Sequence, residues 1–152
     1  MSAIDQSSAA EIIDTLGMEY LEGEGVWIRV LWRTPNTNAI HCLLTPDDFS
    51  GLHILREDEA WVHVAGAPVE MLQLHPDGTH DVIRLGTDLG VGEQPAVLVP
   101  AGSWQGSRTC GDWSLVVCTL APPFTSFVLA GHDLDLSMWP NARDLAEEFI
   151  RD

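Results

Sequence analysis

Apolar and polar residues alternate along most of this chain with a period of two. The clearest run covers residues 26–33, in which Val26, Ile28 and Val30 would share one side of a strand. Strand-like composition continues in further segments, at residues 39–44, 52–55, 59–65, 69–75, 80–85, 96–99 and 113–120. Turn-forming residues such as Pro76-Asp77-Gly78 separate several of these segments. The pattern predicts a protein made mainly of short β-strands.

A helical pattern is confined to the two ends of the chain. Ser8 and Glu11 have the spacing of a capping box, and Gly17 can end the helix that they begin. Asn141 can cap a closing helix on which Leu145 and Phe149 share one face. Short strands with Gly- and Pro-rich turns and a helix at each end predict an antiparallel barrel or jelly roll.

The composition limits what the chain can bind. Its 23 acidic and seven basic residues give a net charge of −16, whereas binding to nucleic acid or to an anionic membrane requires clustered Lys and Arg. We therefore expect a small-molecule partner, with no nucleic acid and no membrane. The first residues, MSAIDQSS, lack a basic and an apolar segment, and no stretch approaches the ~20 apolar residues of a membrane span. The expectation is a cytoplasmic protein with one domain over residues 1–152.

Two segments resemble the two metal-site motifs of a cupin barrel. His53 stands at the first histidine of the first motif, and Glu59 is followed by six residues and then Gly66, as the motif requires. Pro100-Ala101-Gly102 supplies the turn of the second motif. The chain therefore keeps part of each motif.

The other motif positions have lost their metal ligands. Leu55 stands where the second histidine belongs, and Gln105 where the last one belongs. Divalent transition metals prefer imidazole nitrogens and carboxylates, so His53, Glu59 and Gln105 would form a weak site. We expect no cofactor, and a divalent metal held by these three residues is the alternative.

Beyond these motifs, the chain resembles the small cupins of the cupin-5 group over nearly its whole length. The resemblance implies an all-β fold, a double-stranded β-helix (cupin jelly-roll barrel) with short N- and C-terminal helices, in proteins that usually pair as homodimers and for which polar metabolites have been proposed as ligands. The group usually has a tyrosine, a histidine and an acidic residue at the positions of His41, Val62 and Val30, which indicates a specialised paralogue. The matching segments are EGVWIRVLWRT, AIHCLLTPDDFSGLH, LREDEAWVHVAGAPVEMLQLHPDG, VPAGSWQGSR and CTLAPPF.

Glu59 and His53 are the candidate catalytic residues. Strand alternation places Glu59, Trp61 and His63 on one face, which should line the cup of the barrel. A carboxyl group in an apolar cup has a raised pKa and an imidazole titrates near neutrality, so the pair could act as acid and base without a metal. The structural alternatives are a carboxylate at a loop edge and a hydrogen-bonded core histidine.

Several other side chains are candidates for substrate binding. Trp61 and Trp104 adjoin motif residues and would form aromatic walls, although tryptophans also fill barrel cores. Gln105 would hold a substrate oxygen through its neutral amide. Arg29 shares a strand face with Arg33 and could bind a carboxylate or phosphate, or form an ion pair. The remaining candidates are His41, which could equally be structural, and His63, which could lie at the far end of the cup or in a dimer contact.

Three functions fit these residues. The first is an isomerase, epimerase, cyclase or lyase that uses acid–base chemistry on a polar metabolite or biosynthetic intermediate without a metal. The second is a metal-dependent cupin enzyme using His53, Glu59 and Gln105. The third is a ligand-binding or sensor cupin that performs no reaction.

Overall fold

The computed structural model describes residues 3–152, and within this range strands dominate. The strands are β1 (Glu19–Leu21), β2 (Val26–Arg33), β3 (Asn38–Leu44), β4 (Ser50–Leu55), β5 (Glu59–Gly66), β6 (Val69–Leu74), β7 (His80–Leu85), β8 (Ala96–Val99), β9 (Trp104–Thr109), β10 (Ser114–Leu120) and β11 (Phe127–Leu129). The helices are α1 (Ala9–Leu16) and α2 (Arg143–Glu148), and short 3₁₀ turns cover Ile4–Gln6 and Leu89–Val91.

The strands form two antiparallel sheets that face each other. One sheet has the order β1-β2-β3-β10-β5-β8 and the other has the order β11-β4-β9-β6-β7. Apolar side chains from both sheets, including Val26, Leu44, Met71 and Val116, pack between them as the main core. This arrangement confirms the predicted all-β double-stranded β-helix, the jelly-roll barrel of the cupins.

The strand register decides which side chains meet inside the barrel. On β10, Cys118 lies opposite Trp61 and Leu120 lies opposite Glu59. In the facing sheet, Gln105 on β9 lies between His53 on β4 and Gln73 on β6. His53 and Gln105 are therefore neighbours in one sheet, and Glu59 approaches them from the opposite sheet.

Two bulges interrupt the alternation of side chains in the six-stranded sheet. In β2, Val30 pairs with Ile40 and Trp32 pairs with Ala39, so Leu31 is the extra residue. In β5, the register shifts between Leu115 and Val116 of the paired strand β10. An extra residue moves every later side chain of a strand to the other face, and this changes the position of Arg33, as described below.

Helix α1 begins and ends as the sequence predicts. The Ser8 side chain accepts a hydrogen bond from the Glu11 backbone at 3.2 Å, the Glu11 carboxylate accepts one from the Ser8 backbone at 2.9 Å, and Gly17 ends the helix with φ of 62°. Ile12 of this helix packs against Leu43 on the outer face of the six-stranded sheet. The helix therefore covers one end of that face.

Helix α2 begins one residue later than predicted. Ala142 precedes its first residue and no side chain caps the helix, so the expected Asn141 cap is wrong. Asn141 instead lies in the turn after Trp139, whose carbonyl accepts a hydrogen bond from the Ala142 backbone. Phe149, just past the helix, is buried against Leu72 on the outside of the five-stranded sheet. Within residues 3–152, neither helix has the length and hydrophobicity that crossing a membrane requires.

Candidate functional site

The barrel encloses a cavity of about 230 Å³ between the two sheets, here called the cup. Ile28 and Ile40 form one wall, Trp61 lies in another, and Phe124 and Phe127 line the side where the chain leaves β10. The charged side chains that line it are Glu24, His53, Glu59 and Arg33. A concave apolar site with a few polar groups is the usual form of a small-molecule site.

Glu24 and His53 form a closed hydrogen-bonded ring at the cup wall. The Nε2 atom of His53 lies 2.9 Å from Oε1 of Glu24, and its Nδ1 atom lies 2.6 Å from the carbonyl oxygen of Gly51. Ser50 donates to the same carboxylate oxygen at 3.1 Å, and the Gly51 backbone N–H donates to the Glu24 carbonyl at 2.9 Å. Both ring nitrogens of His53 therefore face acceptors, as a charged imidazolium requires.

A tight glycine loop places Glu24 at the cup. The loop joins β1 to β2, and Gly23 and Gly25 on either side of Glu24 have φ of 91° and 93°, in the left-handed region that favours glycine. The Gly25 backbone N–H donates to the Leu21 carbonyl at 2.9 Å, which closes the turn. Sequence reasoning missed Glu24, and the signal that could have found it is one carboxylate between two glycines in a very short connection.

Glu59 reaches the cup from β5 and has only neutral partners. Its Oε1 accepts hydrogen bonds from the indole N–H of Trp61 and from the amide of Gln105, both at 2.9 Å. The residue is 6% exposed. Since both bonds go to Oε1, Oε2 is the oxygen left to exchange a proton with a bound molecule.

The two glutamates experience opposite shifts in pKa. Burial raises the pKa of Glu59, and the attraction of His53 and the bonds from Trp61 and Gln105 only partly oppose it. Burial also disfavours the charged form of Glu24, but the charge and hydrogen bond of His53, with the Ser50 bond, lower its pKa overall. For His53, burial is outweighed by the charge and hydrogen bond of Glu24, which raise its pKa to about 9. The cup thus holds a carboxylate–imidazolium pair beside a carboxyl group that resists ionisation.

Three predicted residues lie where the sequence places them. His53, Glu59 and Trp61 all line the cup. Gln105 is close by but is buried behind Glu59, with its Oε1 atom buried and without a partner among residues 3–152. Gln105 therefore positions the Glu59 carboxyl group instead of lining the cavity.

Trp104 and His63 lie outside the cup, although Trp104 was expected in its wall and His63 at its far end or in a dimer contact. Trp104 points to the outer face of the five-stranded sheet and packs with Trp139, because side chains next to Gln105 alternate to the other face. His63 shares the inward direction of Glu59, but its Nε2 lies 3.0 Å from the Ala67 carbonyl, and the residue lines a separate hollow instead of the cup.

His41 on β3 and Arg29 on β2 are cross-strand neighbours on the outer face of the six-stranded sheet, so neither lines the cup. Burial lowers the pKa of His41, and Arg29 is exposed. Arg33, which the simple alternation puts beside Arg29, instead lines the cup. The bulge at Leu31 separates the two arginines by shifting Arg33 to the inner face.

The residues of the cup do not fit the divalent metal that cupin motifs often hold. Both nitrogens of His53 are engaged by oxygen acceptors, and Gln105 points its amide N–H at Glu59. Leu55, which replaces the second histidine, adds only an apolar surface to the wall. Within residues 3–152, no three His, Cys, Asp or Glu side chains come together as metal ligands.

Comparisons with known proteins agree with this fold. A protein from Shewanella oneidensis is 30% identical, with a TM-score of 0.88 over 96% of this chain and 99% of that one. A hypothetical protein from Leishmania major is 21% identical, with a TM-score of 0.87 over 96% of this chain and 100% of that one. The DMSP lyase DddQ from Ruegeria pomeroyi is similar in fold, at 16% identity and a TM-score of 0.62 over 86% of this chain and 73% of that one.

No curated protein matches the chain. A family model described as Cupin superfamily (DUF985) matches residues 10–132, which is most of the chain and includes both motifs. The resemblance seen in the sequence is therefore confirmed, and the chain belongs to the Cupin superfamily (DUF985) family.

Proposed function

We propose that this cupin is an enzyme that moves protons on a small molecule held in the cup, as an isomerase, epimerase, cyclase or lyase that needs no metal. One observation carries the proposal: two buried glutamates with oppositely shifted pKa values line the same apolar cavity. Pairs of carboxyl groups whose environments separate their pKa values are how proteins obtain an acid and a base near neutral pH.

The environments assign a role to each group. Glu24, whose pKa is lowered by His53, is the base, and Glu59, whose pKa is raised by burial, is the acid. His53 was expected to transfer a proton itself, but its two nitrogens are committed to Glu24 and Gly51. It serves instead as a positioning residue that fixes the Glu24 carboxylate and adds a positive charge to the cup.

The chemistry balances without a further reactant. Glu24 Oε2 takes a proton from a carbon next to a carbonyl or carboxylate, and the electron pair moves toward that group. Glu59 then gives its proton either to the opposite face of the same carbon, which produces an epimer, or to a hydroxyl on the neighbouring carbon, which leaves as water. In both cases the proton on Glu24 returns to Glu59 through solvent before the next turnover.

The fold supports such chemistry without proving it. The Ruegeria pomeroyi protein of similar fold is named as a lyase, but fold similarity at 16% identity does not transfer an activity. The support therefore comes from the local arrangement of Glu24, His53 and Glu59.

Proton exchange with solvent tests the proposal without knowledge of the product. The protein would be incubated in D₂O with a panel of small α-hydroxy, β-hydroxy and 2-oxo acids and followed by proton NMR. We expect at least one compound to lose its C–H signal or to convert, and Glu24→Gln and Glu59→Gln to abolish this. Glu22→Gln, an exposed neighbour in the same loop, is the matched control.

Two results would favour the other functions. A compound that binds and is recovered with no exchange and no conversion would favour the ligand-binding or sensor function. About one metal ion per chain by elemental analysis, lost in His53→Ala, would favour the metal-dependent enzyme.

We also propose that two copies pair through the outer face of the six-stranded sheet. Two rows of side chains, each running from β2 to β8, cross this face. Neither row contains an acidic residue, although the net charge of the chain is −16. Two copies can therefore approach here without repulsion between carboxylates. Trp32 and Leu98 in the first row are 45% and 55% exposed. Light scattering should give a dimer for the wild type and a monomer for Leu98→Glu. The rows are Trp32, Ala39, Thr119, Ala60 and Leu98, and Arg29, His41, Val117, Val62 and Ala96.

A further inference from the structure

Arg33 brings a positive charge to the rim of an otherwise apolar cup. The residue is exposed to solvent and also lines the cavity, next to Val30, which is 56% exposed. Its Nη1 donates a hydrogen bond to the Phe124 carbonyl at 2.8 Å. This bond holds the guanidinium group beside the two phenylalanines of the mouth.

The charge of Arg33 has no acidic partner in the part of the chain that the structure describes. Arg84, Arg108 and Arg143 each form an ion pair with a glutamate, whereas no carboxylate among residues 3–152 lies within 4.0 Å of Arg33. Unlike the other arginines that lack an ion pair in this part of the chain, Arg33 lines the cup. A guanidinium group has five N–H donors, so donors remain for an anionic ligand.

The volume and the walls limit what can enter. An apolar cavity of about 150 Å³ holds one benzene molecule, so the cup of about 230 Å³ suits a molecule of about nine or ten non-hydrogen atoms. Its walls are mostly aliphatic and aromatic, with Ile28, Ile40, Trp61 and Leu120 among them. A sugar or a nucleotide would leave many hydroxyl groups without partners against such walls.

We propose that the natural ligand is a small monocarboxylate with an apolar body, bound with its carboxylate on Arg33 and its carbon chain toward Trp61. One arginine at the cup matches one negative charge, and its planar guanidinium group can hold a carboxylate through two parallel hydrogen bonds. The inference rests on the proposed function and narrows its substrate class. It replaces the polar metabolite expected from the sequence with an amphipathic acid.

This orientation suits the proposed acid and base. With the carboxylate at the rim, carbons further along the chain extend into the cup between Glu24 and Glu59. The carboxylate would meet a positive charge at Arg33, whereas an acid entering in the reverse direction would place its charge among the apolar side chains inside the cup. Burying a charge in apolar surroundings without a partner is costly, which disfavours that second direction.

Calorimetric binding of three matched probes tests the inference. Octanoate, 1-octanol and octylamine share an apolar chain and differ in the charge of the head group. We expect octanoate to bind saturably and about tenfold more tightly than 1-octanol, because only octanoate can accept two hydrogen bonds from the Arg33 guanidinium group. Octylamine should bind weakest of the three.

Variants of Arg33 test whether octanoate binds through this residue. Arg33→Gln should weaken octanoate binding about tenfold and leave 1-octanol unchanged, and Arg33→Lys should restore part of the loss because it keeps the charge. Arg56→Gln, which removes an exposed arginine outside the cup, is the control and should bind octanoate like the wild type. Arg33 is exposed, so its variants should fold, which a thermal melt verifies.

The outcomes separate this inference from the proposed function. Octanoate binding that depends on Arg33, combined with no exchange of protons for any compound in D₂O, would overturn the acid–base proposal and support the ligand class. Absence of saturable octanoate binding, or equal affinity in the wild type and Arg33→Gln, would overturn the ligand class even if another compound exchanges protons.

Discussion

The cup receives its two carboxyl groups from two different regions, a regular strand and a glycine loop. Glu59 comes from β5, where the pleat of the strand directs it inward beside Trp61. Glu24 comes from the connection between β1 and β2, where glycines on both sides allow a turn that other residues resist. The strand supplies neutral hydrogen-bond partners, and the loop brings its carboxylate to a histidine.

The difference shows that burial alone does not decide the charge of a carboxyl group. Both side chains are largely shielded from water, and burial favours the neutral form of both. Glu24 is nevertheless held ionised because the His53 cation lies 2.9 Å away. Glu59 has an indole and an amide as partners, and these neutral donors compensate less for lost water.

The largest expected effect is on proton transfer. Glu24→Gln and Glu59→Gln should each reduce the rate of exchange or conversion by about 100-fold or more, the usual contribution of a positioned acid or base. The rate is measured by NMR in D₂O on whichever compound the wild type converts. Loss in only one of the two variants would break the assignment of paired roles.

The two substitutions should differ sharply in stability. Glu24→Gln leaves the buried His53 cation without its counter-charge and should lower the free energy of unfolding at pH 7 by about 3 kcal/mol. Glu59→Gln keeps an oxygen that accepts the bonds from Trp61 and Gln105, so its change should stay within about 1 kcal/mol. Urea unfolding measures both, with Glu22→Gln as the surface control. Equal losses would show that the two glutamates have the same charge state.

The His53–Glu24 pair should make stability depend on pH in the alkaline range. The folded pKa of His53 is about 9 and its ordinary value is 6.5. A raised pKa means that the folded state binds the proton more tightly, so the stabilisation is complete below pH 6.5 and is lost as pH rises toward 9. The free energy of unfolding should fall by about 3 kcal/mol over this pH range.

Unfolding free energies between pH 6 and pH 10 measure this loss. The Glu24→Gln variant should show little of this loss of stability at alkaline pH, because it lacks the carboxylate that raises the pKa of His53. A wild-type profile that is flat over this range would contradict a protonated His53.

The smallest expected effect is a shift in the pKa of Glu59 when one of the neutral groups that donate hydrogen bonds to it is removed. Trp61→Phe removes the indole N–H that lies 2.9 Å from Glu59 Oε1 and should raise the pKa of Glu59 further. Titration of ¹³C-labelled carboxyl groups by NMR measures the change. Trp139→Phe, which removes a donor to the His75 carbonyl outside the cup, should leave the Glu59 titration unchanged.

Period-two patterning predicted the strand-borne part of the site. The alternation places Glu59 and Trp61 on the same face of β5, and the motif spacing predicts that His53 lies with them in the cup. The same pattern failed where β-bulges insert a residue, since one extra residue exchanges the two faces. Arg33 was therefore expected on the same strand face as Arg29, and its separate place at the mouth of the cup depends on Leu31 having no partner in β3.

The chain's amino-acid order is enough to define most of the strands, the family and the inward face of β5, because these follow from local alternation and from motifs read within short segments. The three-residue strands β1 and β11 are too short for such a pattern and were not predicted. Tertiary structure alone decides which charges meet. Glu24 and His53 are distant in sequence, and their contact requires the glycine loop, Ser50 and Gly51 to fold against one another. The charge states then follow from that contact, because the energy of a buried ion depends on the distance to its partner and on the water excluded around it.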